Sequence, residues 1–160
     1  MAFLNSSEED IYDFIKRYCK NFFDKNNFEF FKKDVGDGMG AEVIFSNSNI
    51  LLKIVNDRDG IELMISNIEE RKFWRLDFIM AYFKITDYKI EVEDTISRKR
   101  VLLDTFKLDD YSGMMIFLSK NVARVKDVFS PIKYIEVKKQ LEALDIERGE
   151  FVKQMLRPKT

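Results

Sequence analysis

Pairs of neighbouring carboxylates are the side chains of this sequence that could support chemistry, because two acids close together can exchange a proton or hold a divalent cation. Such pairs occur at Asp57/Asp59, Glu69/Glu70, Glu91/Glu93 and Asp109/Asp110. Asp57 and Asp59 are like the opening of a calcium loop, but aliphatic residues follow where that loop needs further oxygen ligands. Nothing favours one pair over another. We therefore predict no catalytic residue, no metal site and no cofactor.

The residue inventory excludes several kinds of catalysis. The chain of 160 residues contains no His, which rules out Ser-His-Asp and Cys-His centres and imidazole metal ligands. The single Cys19 cannot form an internal disulfide, and its position in an apolar helical stripe predicts a buried side chain rather than a reactive thiol. The 27 basic and 28 acidic side chains nearly cancel, so no general attraction for nucleic acid is expected. We expect a protein that is not an enzyme.

A cluster of basic residues in the second half is the remaining candidate for binding phosphate. Its members are Arg98, Lys99, Arg100, Lys107, Lys120, Arg124 and Lys126. Such runs usually form the solvated faces of helices, and no nucleic-acid-binding motif accompanies them, so nucleic acid is not an expected partner. The N-terminus has neither a basic leader nor a long apolar run, and no stretch of about 18 apolar residues occurs. These features predict a cytoplasmic protein without a membrane partner.

The segment EERKFWR has the composition of a protein-binding hot spot, in which aromatic residues and Arg dominate. Phe73 and the only Trp, Trp74, stand there among alternating charges. For the two rings we favour the alternative that they dock a helix onto a sheet, whereas an exposed Trp74 would favour binding. The candidate partner-binding residues, taken with the nearby polar turn, are Asp57, Arg58, Asp59, Glu69, Glu70, Arg71, Phe73, Trp74 and Arg75.

The stretch from Ile50 to Ser66 predicts a β-hairpin, because two apolar runs flank a polar Asp-Arg-Asp-Gly turn. Only a loop with an even number of residues keeps the large aliphatic residues of both strands on one face. A loop of residues 57–60 pairs Leu52 with Ile65, whereas a two-residue turn at 59–60 pairs Leu52 with Asn67. We rank the first register above the second. The opposite face then carries Lys53, Glu62 and Met64.

Hydrophobic periodicity divides the chain into a mixed first half and a helical second half. Ser6 or Ser7, followed by acids, predicts a helix to about Phe23, and four short strands follow within 28–66. The glycines at 36–40 lack phosphate-loop spacing and predict a hairpin loop. Further helices are expected over 73–85, from Asp94 or Thr95, and from Asp109 or Asp110. A last helix is expected from Pro131, with inward Ile132, Ile135, Leu141 and Leu144 and an interruption at Gly149, while 88–92 could add a fifth strand.

A resemblance is carried by residues 50–83, where the hairpin sequence LKIVNDRDGIELMI is followed by FWRLDFIMAYF. This passage resembles small cytosolic bacterial proteins in which a hairpin with an Asp-Arg-Gly-like turn leads into a Trp/Leu helix, among them immunity proteins of polymorphic toxin systems. It covers about a fifth of the chain, which departs from the pattern at Asp59 and in its long helical second half. The resemblance implies a protein that binds and blocks a toxin, with no catalytic residues.

The patterns together predict a single α+β domain over residues 1–160. Residues 1–92 would form an N-terminal helix, a four- to five-stranded antiparallel meander and a second helix, and residues 93–160 a helical half packed on it. The expected function is protein binding by an immunity-type inhibitor that blocks a toxin or effector. A small-ligand or nucleotide-binding sensor or sponge, including one related to phage or defence, stays open. A carboxylate- or metal-dependent enzyme is less favoured, and homo-oligomers are neither predicted nor excluded.

Overall fold

The order of helices and strands confirms the predicted α+β class. The computed structural model describes residues 6–36, 40–57, 60–87, 95–104 and 111–156. The helices are α1 (Ser6–Phe14), α2 (Lys20–Lys25), α3 (Leu76–Asp87), α4 (Thr95–Asp104), α5 (Tyr111–Val128) and α6 (Pro131–Leu156). The strands are β1 (Glu29–Val35), β2 (Ala41–Ser46), β3 (Ile50–Asp57), β4 (Gly60–Asn67) and β5 (Phe73–Arg75). They form one antiparallel sheet in the order β1-β2-β3-β4-β5.

The predicted N-terminal helix is present, with a π-helical segment, Ile15–Cys19, between α1 and α2. Such segments arise where an extra residue is accommodated within a helix. The predicted apolar stripe lies on the core, since its members Ile11, Phe14, Cys19, Phe22 and Phe23 are buried. Glu8, in the first turn, is 3% exposed and accepts a hydrogen bond from Lys33 Nζ at 2.8 Å. This contact ties the start of the helix to β1.

The β3–β4 hairpin has the register that we ranked first. Leu52 pairs with Ile65, so the large aliphatic residues of both strands share one face. The ladder continues to a pair between Asp57 and Gly60, one pair closer to the turn than predicted. The connection is therefore two residues long. The glycine segment likewise joins two antiparallel strands, with the Gly36 N–H donating to the Gly40 carbonyl at 3.2 Å.

The predicted start of the aromatic helix at Phe73 is wrong. Residues Phe73–Arg75 form β5, in which Trp74 pairs with Ile65, and the helix begins only at Leu76. The free edge of β4 accounts for the difference, because it offers backbone hydrogen bonds that a three-residue segment cannot supply to itself as an isolated helical turn. The alternative fifth strand at 88–92 lies outside the described residues.

The sheet has a covered face and an open face. On the covered face, the Phe23 ring of α2 lies 4.8 Å from the Phe45 ring, and α3 contacts β4 and β5. The buried residues of this face include Val43, Phe45, Leu52, Ile54, Leu63, Ile65 and Trp74. Alternate residues of the same strands point the other way and are mostly half-buried or exposed. They form the open face.

The helical half packs as predicted along α5, and along α6 the prediction is confirmed for Leu141 and Leu144 but not for its first turns. Of the α5 seam, Met115, Leu118, Val125 and Phe129 are buried. Helix α6 continues through Gly149, so the predicted interruption is wrong, and Ile132 and Ile135 are exposed rather than inward. Its inward residues are Tyr134, Val137, Leu141, Leu144 and Phe151. None of the helices in the described ranges is long and apolar enough to cross a membrane.

Candidate functional site

The two rings of the predicted hot spot point to opposite faces of the sheet. Trp74 is 5% exposed, stacks on Phe78 of α3 at 5.7 Å, and donates an indole N–H bond to the Tyr134 hydroxyl at 2.9 Å. Phe73 lies half-buried on the open face, with the Lys53 ammonium 4.3 Å from its ring centroid. Trp74 therefore belongs to the packing alternative, whereas Phe73 is available to a partner.

The open face carries its side chains in three bands that run across the strands, because paired residues of neighbouring strands point to the same side. The acidic band consists of Asp34, Glu42 and Glu62, with Val55 between the glutamates and Asp57 at the hairpin end. The basic band consists of Lys32, Lys53 and Arg75, with Ile44 and Met64 between them. The aromatic band consists of Phe31, at a bulge in β1, and Phe73, with Ser46, Leu51 and Ser66 between them.

Two ion pairs join the acidic band to the basic band. Lys53 Nζ lies 3.3 Å from Glu42 Oε2, and Arg75 Nε lies 2.5 Å from Glu62 Oε1. Arg75 also donates through Nη2 to the buried carboxylate of Asp77 at 3.1 Å. These contacts hold Lys53 and Arg75 in place. The open face therefore carries its acidic and basic side chains in separate rows, although its opposite charges largely balance.

The turn after β4 places Arg71 at the end of the aromatic band. Asn67 is 3% exposed, and its Oδ1 accepts the backbone N–H groups of Glu69 and Glu70 at 2.8 and 3.1 Å. Arg71 then takes a left-handed conformation with φ of 55°. This returns the chain toward the sheet, with the guanidinium carbon 5.3 Å from the centroid of the Phe31 ring. The guanidinium of Arg71 thus lies over the ring of Phe31 on the surface.

The other candidate residues lie at the margins of the open face. Asp57 is exposed at the end of β3, and Glu69 is exposed in the turn. Glu70 Oε2 lies 2.9 Å from Lys138 Nζ of α6, and this hydrogen bond raises the pKa of Lys138. Arg58 and Asp59 lie outside the described residues. The structure thus brings together Asp57, Arg71, Phe73 and Arg75 on one face, with Glu69 and Glu70 beside it and Trp74 behind it.

Cations of the predicted basic cluster are engaged within the fold. Arg98 donates from Nε and Nη2 to the two carboxylate oxygens of Glu147, at 2.9 and 2.6 Å. This hydrogen bonding raises the pKa of Arg98 further. Arg124 pairs with Asp87 at 2.6 Å and lies 4.1 Å from the centroid of the Phe83 ring. Lys107 lies outside the described residues. These pairs favour a structural role for the two arginines.

Three depressions open along or beside the open face. One, lined partly by Asp34, Glu42 and Val55, has a volume of about 280 Å³. A second, next to Phe73, measures about 200 Å³, and a third, at the aromatic band, about 130 Å³. Small-molecule sites usually enclose about 300–1,000 Å³. Small depressions spread along a broad face fit contact with another surface better than they fit an enclosed ligand.

The acidic band is not arranged as a metal site. Across the ranges that the structure describes, no three acidic or cysteine side chains lie close enough together to hold a metal ion. Lys53 and Arg75 instead occupy the positions beside the two glutamates of the band. The carboxylates can therefore pair with cations of this chain or of another protein.

Cys19 has the environment of a packing residue. It is fully buried, and its Sγ lies 3.7 Å from Met115 Sδ of α5. Burial raises the pKa of the Cys19 thiol to about 12, so the nucleophilic thiolate is scarce at neutral pH. The prediction of a buried thiol is confirmed.

Sequence reasoning missed much of the open face as a surface of its own. The residues not singled out for partner binding are Phe31, Lys32, Asp34, Glu42, Ile44, Lys53, Val55, Glu62 and Met64. Their signal was the alternation within each strand, in which positions between the large aliphatic residues point away from the core. Which of these positions become neighbours depends on strand order and register, and a single strand does not contain that information.

Comparison with known proteins adds no relative. No protein-family model, curated protein or solved structure matches this chain.

Proposed function

We propose that this chain is a non-enzymatic, cytoplasmic binding protein that blocks a toxin or effector, as an immunity-type inhibitor does, by covering it with the open face of the sheet. The observation that carries the proposal is the composition of this face. Aromatic side chains and Arg, the residue types of binding hot spots, lie there beside rows of charge. Phe31 is 42% exposed, and Phe73 and Arg75 are half-buried on the same surface.

The size of the open face supports a contact that extends beyond it. Five strands about 4.8 Å apart and three bands about 7 Å apart give a flat area of roughly 450 Å². Two such surfaces would bury about 900 Å² in total, below the roughly 1,200–2,000 Å² of a standard specific complex. A tighter complex needs further contacts. The turn that contains Glu69, Glu70 and Arg71 adjoins the aromatic band and can supply them.

The proposal is tested by capture of the partner from the face where it should lie. A photoreactive amino acid is placed at Ile44, in the basic band, and the chain is expressed in the cells from which it comes. The matched control carries the same group at Ile132 of α6, which is 89% exposed. We expect one protein other than the chain itself to be cross-linked from Ile44 and not from Ile132. If a toxin gene lies next to the gene of this chain, the toxin it encodes can be purified and used as the partner.

The contribution of Phe73 is then measured with the purified complex. Phe73→Ala should weaken binding by roughly 30-fold, corresponding to about 2 kcal/mol for a hot-spot ring. Phe30→Ala is the matched control, because Phe30 is an exposed edge-strand ring that faces Phe45 on the covered side. Equal effects of the two substitutions would contradict the proposed surface. Recovery of the chain alone, with turnover of a small molecule, would contradict the proposed function.

A further inference from the structure

The acidic and basic bands of the open face are neighbouring rows of opposite charge. In β1, Asp34 and Lys32 belong to the acidic and basic bands and point to the same side two residues apart. Both side chains are exposed, and within the described part of the chain neither forms an ion pair. Elsewhere on the face the two bands are bridged within the molecule by Lys53 on β3 and by Arg75 on the other edge strand, β5. The face therefore has a polarity along its strands.

Such a face is complementary to itself in one arrangement. A two-fold axis parallel to the strands would place like-charged bands opposite each other, which is unfavourable. An axis across the strands, between the acidic and basic bands, places each band of one copy opposite the other band of the second copy. The strands of the two sheets then run nearly in line, as in the aligned class of sheet packing.

We propose that two copies of this chain associate open face to open face about this axis. Asp34 of each copy then lies opposite Lys32 of the other, which gives two identical ion pairs at the edge. In the middle, Val55 of one copy lies opposite Lys53 of the other, between Ile44 and Met64. The half-buried aliphatic side chains of both copies thus meet beside the axis.

The dimer is weak and sensitive to salt. About this axis the acidic and basic bands of the two copies overlap and the aromatic band lies beyond them, so roughly 650 Å² is buried in total, less than in a standard specific interface. We therefore expect dissociation in the micromolar range or above. Because the edge pairs are solvent-exposed, salt near 0.5 M should screen them and weaken association further.

The dimer does not depend on the proposed function, since it involves this chain alone. If both hold, a second copy and the toxin or effector compete for one face, and the dimer is a resting state that the partner displaces. A monomeric chain would leave the proposed function untouched. Failure to capture a partner would likewise leave the dimer untouched.

The test is sedimentation velocity of the purified full chain from about 1 to 300 µM, with charge exchange at the edge pair. Lys32→Glu and Asp34→Lys should each weaken dimerisation by roughly tenfold, because each turns two symmetry-related attractions into repulsions. The double variant Lys32→Glu/Asp34→Lys should recover the original affinity. Asp24→Lys, at an exposed position of α2 away from the open face, should change nothing.

Two results would overturn the dimer proposed here. One is a chain that remains monomeric throughout the concentration range at low salt. The other is a dimer whose affinity is unchanged by both single substitutions, or not recovered by the double variant. If Ile135→Glu on the exposed side of α6 then abolished that dimer, α6 would be the interface in place of the sheet.

Discussion

The hydrogen bond between Trp74 and Tyr134 joins the end of the sheet to the longest helix, and its loss should be measurable. The indole N–H donates to the Tyr134 hydroxyl at 2.9 Å, and the two residues are 5% and 2% exposed. Tyr134→Phe removes the acceptor and keeps the ring, which stacks on Phe129 with centroids 5.3 Å apart. The substitution thus changes one hydrogen bond and little packing.

The expected cost follows from the buried donor that remains. An indole N–H without a partner in the core lowers the free energy of unfolding by about 1–3 kcal/mol. For a chain of this size, unfolding in urea has a slope of about 2 kcal/mol per molar. The urea midpoint should therefore fall by roughly 0.5–1.5 M. The fluorescence of the only Trp reports the transition directly, because Trp74 itself is next to the altered group.

Tyr18→Phe is the matched control. Tyr18 is half-buried in the π-helical segment Ile15–Cys19, and its ring packs against Phe14. Among the described residues its hydroxyl makes no hydrogen bond. Its removal should change the free energy of unfolding by less than about 0.5 kcal/mol. Equal midpoints for Tyr134→Phe and Tyr18→Phe would refute the reasoning, since the bond between sheet and helix would then add nothing to stability.

Four further substitutions test other parts of the fold. Because burial raises the pKa of Cys19 from 9.0 to about 12, the free energy of unfolding should fall as the pH rises between these values. The fall should be smaller in Cys19→Ala. Labelling of the thiol at pH 8 should be far slower in the folded chain than in urea. Asn67→Ala should lower the unfolding free energy by about 2–3 kcal/mol in urea titrations, because the Phe129 carbonyl loses a 2.7 Å donor and two backbone N–H groups lose their acceptor. Gly149→Ala should raise the free energy of unfolding by about 0.5–1 kcal/mol, since a Cβ at this position of α6 meets open space. Gly40→Ala should lower the free energy of unfolding, because a Cβ there would lie 2.9 Å from the Asn56 carbonyl oxygen. No gain in stability for Gly149→Ala would favour a helix that is interrupted at this position.

The hairpin was predictable because its constraints are local. A shared face for the aliphatic residues and a turn of even length leave two registers, and the apolar pairing of Leu52 with Ile65 favours the one observed. The amphipathic N-terminal helix was predictable for the same reason, since its apolar stripe repeats at helical spacing over several turns. In each case one element contains all the information that determines it.

Helix α6 departs from its prediction because tertiary packing outweighs local preference. A glycine costs a helix about 1 kcal/mol relative to alanine, and the burial of Leu144 and Phe151 on either side of Gly149 exceeds that cost. The hydrogen bond from Trp74 to Tyr134 also turns this tyrosine inward, and Ile132 and Ile135 are left outside as a consequence. Such contacts join residues 60 positions apart, so the helical period does not reveal them.

The fold places the adjacent residues of Phe73–Arg75 in different environments. Phe73, Trp74 and Arg75 are adjacent in sequence, and as a helical segment they would spread around one turn. As β5 they alternate, so Trp74 enters the core and Phe73 and Arg75 face outward. The buried ring fixes the strand against α3 and α6 through Phe78 and Tyr134. The packing and binding interpretations of this segment therefore apply to different residues, because the anchor that holds the strand also presents its neighbours on the open face.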